Sequence, residues 1–157
     1  MASTITPASL NVTIREQITM NGTDYGSLTR YAAHNITEVS RRIIATNGTG
    51  STTIIRFQPS ASAGQFINTD VRYVRITNLD NANYATLRFR GAAATDYAFR
   101  LDPTGSHLLM STQASGSSNS GVTSYADISG ITLTDLRTIS ATANSASVNL
   151  ELFVASV

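Results

Sequence analysis

Cysteine, lysine and tryptophan are all missing from this chain of 157 residues. Without cysteine, disulfides and thiolate metal sites are excluded. No apolar run approaches the ~18 residues of a membrane span, and "MASTITPASL" has neither the charged nor the apolar region of a signal peptide. Folding in a cytoplasm, with no membrane as a partner, is therefore expected. Charged residues make up only 13% of the chain and the net charge is +1, so the basic excess that marks a nucleic-acid binder is absent. Phosphate loops of the GxxxxGK or GxGxxG type do not occur. The two histidines fit neither a zinc nor a calcium-loop spacing, so no metal or cofactor is expected.

What is present suits one β domain. Apolar residues are 41% of the chain, and its length is that of a single domain with one core. The polar surface comes mainly from Ser, Thr and Asn, 52 residues together, which suit turns and sheet faces and do little to keep copies apart. That balance fits a permanent assembly better than a free monomer. All basic residues are arginine, which tolerates interfaces that lysine does not. The glycosylation acceptors at Asn11, Asn21, Asn35 and Asn47 are read as a by-product of an Asn- and Thr-rich chain.

Period-two alternation recurs along the sequence. In "LNVTIREQITM" (10–20), Leu10, Val12, Ile14, Ile18 and Met20 oppose Asn11, Thr13, Arg15, Gln17 and Thr19, the pattern of a half-buried strand. "NGTDYG" then breaks it. A short strand is read at 27–34, and "ITEVSRRIIAT" (36–46) is read as a strand joined through "NGTG" by a hairpin to "STTIIRF" (51–57). "YVRITNLDNANYATLRFRG" (73–91) gives a second hairpin, with Val74, Ile76, Ala85, Leu87 and Phe89 on one face. "DPTG" (102–105) has the residues of a type I turn, 112–124 is a flexible loop, and "SVNLELFVAS" closes the chain as a strand. The expected fold is an all-β, two-sheet sandwich of eight to ten strands, jelly-roll-like, with an immunoglobulin-like sandwich as second choice. Residues 1–9 are expected to form an N-terminal arm and 10–157 the single sandwich domain.

Candidate chemistry is sparse. Asp102, Ser106 and His107 are neighbours along a turn, which does not assemble a catalytic triad. His34 is expected as a surface or interface residue. Asp80 fits a turn in which the carboxylate bonds its own backbone. Glu16 sits on the apolar face of the first strand, where it either pairs with an arginine or marks the point at which the strand leaves the core. No catalytic residues are expected. What stands out is the second face of the 73–91 hairpin, where Tyr73, Arg75, Tyr84, Arg88 and Arg90, with Tyr97 and Arg100 close by, either form an internal network with Asp70, Asp80, Asp96 and Asp102 or have the composition of a protein–protein interface.

"DVRYVRITNLDNANYATLRFRG", "DYAFRLDPTGSHLLM", "SYADISGITL" and the final "VNLELFVASV", taken in that order over residues 36–157, resemble small virion structural proteins of tailed bacteriophages, including phages of marine cyanobacteria. The resemblance implies a β-sandwich present in many copies on a virion, with no catalytic residues. The expected role is a structural virion protein that decorates or cements the shell by binding neighbouring capsid subunits, the major capsid protein first among them. It is expected to form a homo-oligomer, with a trimer as the first candidate. The alternative is a receptor- or carbohydrate-binding module of a tail fibre or spike, using Tyr25, Tyr31, Tyr125 and the 112–124 loop.

Overall fold

Every alternating stretch among the described residues folds as a β-strand, and no helix occurs among them. The computed structural model describes residues 5–91, 96–110, 113–114 and 134–157. The strands in chain order are β1 (Ala8–Glu16), β2 (Thr19–Met20), β3 (Thr23–Asp24), β4 (Ser27–Ile36), β5 (Glu38–Thr46), β6 (Thr52–Gln58), β7 (Phe66–Ile67), β8 (Val71–Asn78), β9 (Ala85–Gly91), β10 (Asp96–Leu101), β11 (Ser106–Leu109), β12 (Gln113–Ala114), β13 (Thr134–Ala143) and β14 (Val148–Ser156). Most of the expected 112–124 loop, and the "YADISGITL" segment with Tyr125, lie outside the described residues.

The long strands pair in a nested order. β5 pairs with β14, β6 with β13, β8 with β11 and β9 with β10, all antiparallel. Further pairing of β14 with β8 and of β13 with β9 joins them into two sheets. Sheet I runs β10-β9-β13-β6-β7 and sheet II runs β11-β8-β14-β5. The two enclose one apolar layer. Ile54, Ile55, Phe57, Leu87, Phe89, Ile139 and Ala141 from sheet I join Val74, Ile76, Leu150, Leu152 and Val154 from sheet II, each no more than 1% exposed. The expected all-β sandwich is the observed architecture.

Both expected hairpins are different in kind. β8 belongs to sheet II and β9 to sheet I, so the chain crosses the core between them and the two strands never pair. The same holds for β5 and β6. Val74, Ile76, Ala85, Leu87 and Phe89 are all buried as expected, but they meet across the core from opposite sheets. The crossing is fixed by polar side chains. Asp80 Oδ1 accepts from the backbone N–H of Ala82 at 2.8 Å and of Asn83 at 2.6 Å. These bonds hold its carboxyl below the usual carboxylate range, as expected for a turn of this kind. Asn78, 1% exposed, donates its amide to the carbonyls of Asn83 at 2.9 Å, Asp102 at 3.2 Å and Leu101 at 3.3 Å. One side chain thus ties β8 to the crossing loop and to the β10–β11 turn.

Residues 8–36 stand apart from both sheets. Among the described residues β1 pairs only with β4, and β2 with β3 at the tip. The tip turns at Asn21–Gly22, both with positive φ, as a two-residue hairpin turn of the Asn-Gly kind requires. The expected boundary at residue 9 falls inside this ribbon, and the chain enters the sandwich at Thr37, whose N–H bonds the Ser156 carbonyl at 3.0 Å. The inner half of the ribbon, with Leu10, Val12, Tyr31, Ala33 and Ile36, packs on Tyr73, Leu108, Phe153 and Ala155 on the outer face of sheet II. Beyond it, residues 15–30 are all exposed. Glu16 marks that departure: it ends β1, is exposed, and accepts a hydrogen bond from the Ser27 hydroxyl.

Replacing Asn78 by Ala leaves three carbonyls without their buried donor, each formerly satisfied inside a crowded crossing. Asn78→Ala is expected to lower unfolding free energy by about 2 kcal/mol, read by urea denaturation. A loss below about 0.5 kcal/mol would show that the crossing does not depend on this amide.

Candidate functional site

The residues expected to form one arginine–tyrosine surface are distributed over three places, because the crossing puts β8 and β9 in opposite sheets. Tyr73 and Arg75 lie on the outer face of sheet II. Tyr73 is 4% exposed, covered by the ribbon. Its ring stacks on Tyr31 with centroids 6.5 Å apart and meets Phe153 edge-on at 6.0 Å, and burial pushes its hydroxyl pKa up. Tyr97 faces inward. It stacks on Phe89 at 4.7 Å with the rings nearly parallel, and burial raises its pKa too. Neither tyrosine is available as a surface contact.

Arg88, Arg90 and Arg100 do share a surface, the outer face of sheet I. Register places Arg90 opposite Asp96 and Thr138, Arg88 opposite Ala98 and Ser140, and Arg100 opposite Thr86. Arg88 pairs with Asp96. Arg100 pairs with Asp102 at 2.6 Å and lies 4.0 Å over the Tyr84 ring, a cation–π contact that holds the guanidinium at the sheet end. Arg56 of β6 completes this face, because Thr138 is its cross-strand neighbour as well as that of Arg90. Among the described residues, Arg56 and Arg90 are exposed and have no acidic partner. The face therefore presents four guanidiniums on a ground of Ser and Thr, with Asp96 and Asp102 as counter-charges. Arg56 escapes a reading by alternation because the pairing shifts register between Ile139 and Ser140. That bulge lets Ile54 and Ile55 both turn inward and reverses the parity of the later β6 residues.

Sheet II carries its own ionic cluster. Glu151 on β14 lies between Arg41 on β5 and Arg75 on β8, at 3.0 Å and 2.6 Å. The hydrogen bond from Arg41 holds the carboxyl below its usual range, helped by the charges of Arg41 and Arg75 and opposed by burial.

The Asp102, Ser106 and His107 trio does not converge. Ser106 Oγ bonds Thr77 Oγ1 at 2.8 Å on the outer face of sheet II, and Asp102 is held by Arg100. His107 points inward against Phe89 and Phe99, with ring centroids at 5.2 Å and 4.9 Å. Its Nε2 is buried and has no hydrogen-bond partner among the described residues. His34 is exposed at the ribbon base, its Nδ1 3.0 Å from Ser9 Oγ. Among the described residues no group of three His, Asp or Glu side chains could hold a metal. A cleft of about 380 Å³ beside β5 is lined by Glu38, Ser40, Arg42, Asp70 and Ser156 among others. Its polar groups hold the fold: Arg42 donates to the Ile54 carbonyl at 2.7 Å, and Ser156 donates to Glu38 at 3.4 Å. Of the aromatics considered for a sugar site, Tyr25 is exposed near the ribbon tip, whereas Tyr31 is half-buried with its hydroxyl on the Arg72 carbonyl at 3.2 Å. They do not form one platform.

Comparison with protein-family models, with curated proteins and with solved structures returns no match.

The His107 environment has a pH consequence. Burial among aromatic rings lowers its pKa from the ordinary 6.5. The folded state therefore favours the neutral ring, and the unfolded chain takes up the proton first as pH falls. The contribution is fully present above pH 6.5 and declines as pH drops from there towards the depressed folded value. Thermal unfolding between about pH 7.5 and about pH 5 should show this decline, and His107→Phe should flatten that part of the profile. An unchanged slope in the variant would place the pH dependence elsewhere.

Proposed function

We propose that this chain is a structural protein of a tailed-phage virion, folded in the host cytoplasm and then bound to neighbouring capsid subunits, where it decorates or cements the shell. The observation that carries this reading is the outer face of sheet I. It is a broad strand surface bearing Arg56, Arg88, Arg90 and Arg100. It suits a carboxylate-bearing protein surface. Arginine forks hold carboxylates bidentately, and docking against an acidic face would satisfy the two guanidiniums that lack an acidic partner here. The nested strand order, which we read as a jelly roll, and the resemblance of residues 36–157 to small virion proteins favour the same role. No cofactor enters it, and the action is passive: added contact area between subunits resists the pressure of the packaged genome.

The test is occupancy of particles. Antibody label against this protein should lie on the heads of purified particles, and label confined to tails would overturn the cement role. Double reversal of Arg56→Glu and Arg90→Glu should lower binding to heads stripped of this protein at least about tenfold. It should change stability by no more than about 0.5 kcal/mol, since both side chains are exposed. Undiminished binding by that variant would remove the arginine face from the interface.

A further inference from the structure

The ribbon is built in a way that its own fold does not explain. A two-stranded ribbon is marginal in water unless something covers one side, yet residues 15–30 are exposed throughout. They hold out large apolar side chains: Ile18, Met20, Tyr25 and Leu28 are between 49% and 63% exposed. A second apolar patch lies on the body, on edge strand β5. Val39 is 57% and Ile43 63% exposed, both on the outer face of sheet II. Among the described residues β5 pairs only with β14, and its other edge has no ladder partner among them, which makes it a ready template for another strand.

We propose that the ribbon of one copy seats on the β5 edge and outer face of a second copy. Three observations favour a sister chain as the occupant. The surface that receives the ribbon continues the one on which each ribbon already lies, since Leu10, Val12 and Tyr31 cover the Tyr73, Phe153 and Ala155 part of the same sheet. Charge does not oppose the contact. The ribbon balances Arg15 and Arg30 with Glu16 and Asp24, and on the receiving face Glu151 lies between Arg41 and Arg75. Strand addition also has the right period, because alternate side chains of an added strand fall on the face that already carries Val39 and Ile43. The contact is head-to-tail: each copy gives a ribbon and receives one, so copies close into a ring when the rotation between them permits. This deepens the assembly reading and rests on it, but not on where the assembly sits.

Contact between two different surfaces makes a demand that ribbon-to-ribbon or edge-to-edge contact does not share. By sizing with light scattering, the wild-type chain should run at a multiple of its 16.7 kDa mass. Ile18→Asp with Met20→Asp spoils the ribbon and leaves the edge. Val39→Asp with Ile43→Asp spoils the edge and leaves the ribbon. Each variant alone should be monomeric, with self-association weakened at least about tenfold. Mixed, they should form a one-to-one pair and stop there, because one intact ribbon meets one intact edge. The pairing also shows that both variants are folded. A monomeric wild type, a ribbon variant that still assembles, or a mixture that fails to pair would each overturn the proposal. A ring in solution with no label on particles would sink the virion reading alone, and a monomer that still decorates heads would sink this one alone.

Discussion

One apolar layer, closed between two sheets that the chain crosses between repeatedly, is the constraint on which the rest of the molecule depends. Nearly every connection must carry the chain across the sandwich, a span of about 10 Å rather than the roughly 4.8 Å between paired neighbours. Each crossing must also deliver the next strand with its apolar parity facing back into the same layer. The 79–84 crossing meets this demand through Asp80 and Asn78, which replace the lost backbone ladder with side-chain bonds. β14 is the strand most committed to the result. It pairs on both edges, its inner residues Leu150, Leu152 and Val154 fill the core, and its outer residues Phe153 and Ala155 receive the ribbon. A carboxylate on such a strand is costly unless compensated. Glu151 is compensated from both neighbouring strands, by Arg41 and Arg75.

That geometry also decides what could be read from the sequence. Alternation identifies which side chains are buried, and Val74, Ile76, Ala85, Leu87 and Phe89 are all found in the core. Alternation is silent about partners, because the same pattern results whether two strands lie side by side in one sheet or face each other across the core. The 73–91 hairpin and the single arginine face fail together for this reason. Arg56 was illegible for another, since a register shift in the β6–β13 pairing changes parity locally. The ribbon was hidden for a third: Leu10, Val12 and Ile14 alternate in the same way on a thin ribbon as they would in a full sheet.

The exclusive use of arginine becomes intelligible in its placements. Arg42 reaches a backbone carbonyl, Arg41 and Arg75 share one carboxylate, and Arg100 lies over an aromatic ring while pairing with Asp102. Each relies on the planar, several-donor head of arginine, which the compact ammonium of lysine does not supply. Arg56 and Arg90 stand outside this pattern, and both lie on the outer face of sheet I.

The two outer faces therefore differ in character as well as in position. Sheet I turns outward a polar, positively biased surface on which the described residues place no cover. Sheet II turns outward apolar side chains around the Arg41–Glu151–Arg75 cluster, a surface that the chain covers in part with its own ribbon and leaves open at β5. The difference is one of balance: sheet II pairs its outward charges within the Arg41–Glu151–Arg75 cluster and exposes Val39 and Ile43, large apolar side chains with no counterpart among the described residues on the outer face of sheet I. Such a difference is useful when the two sides meet different partners. Apolar contact between sister chains, insensitive to salt, on one side is then compatible with charge-directed docking to a foreign surface on the other, and neither contact competes with the other for the same strands.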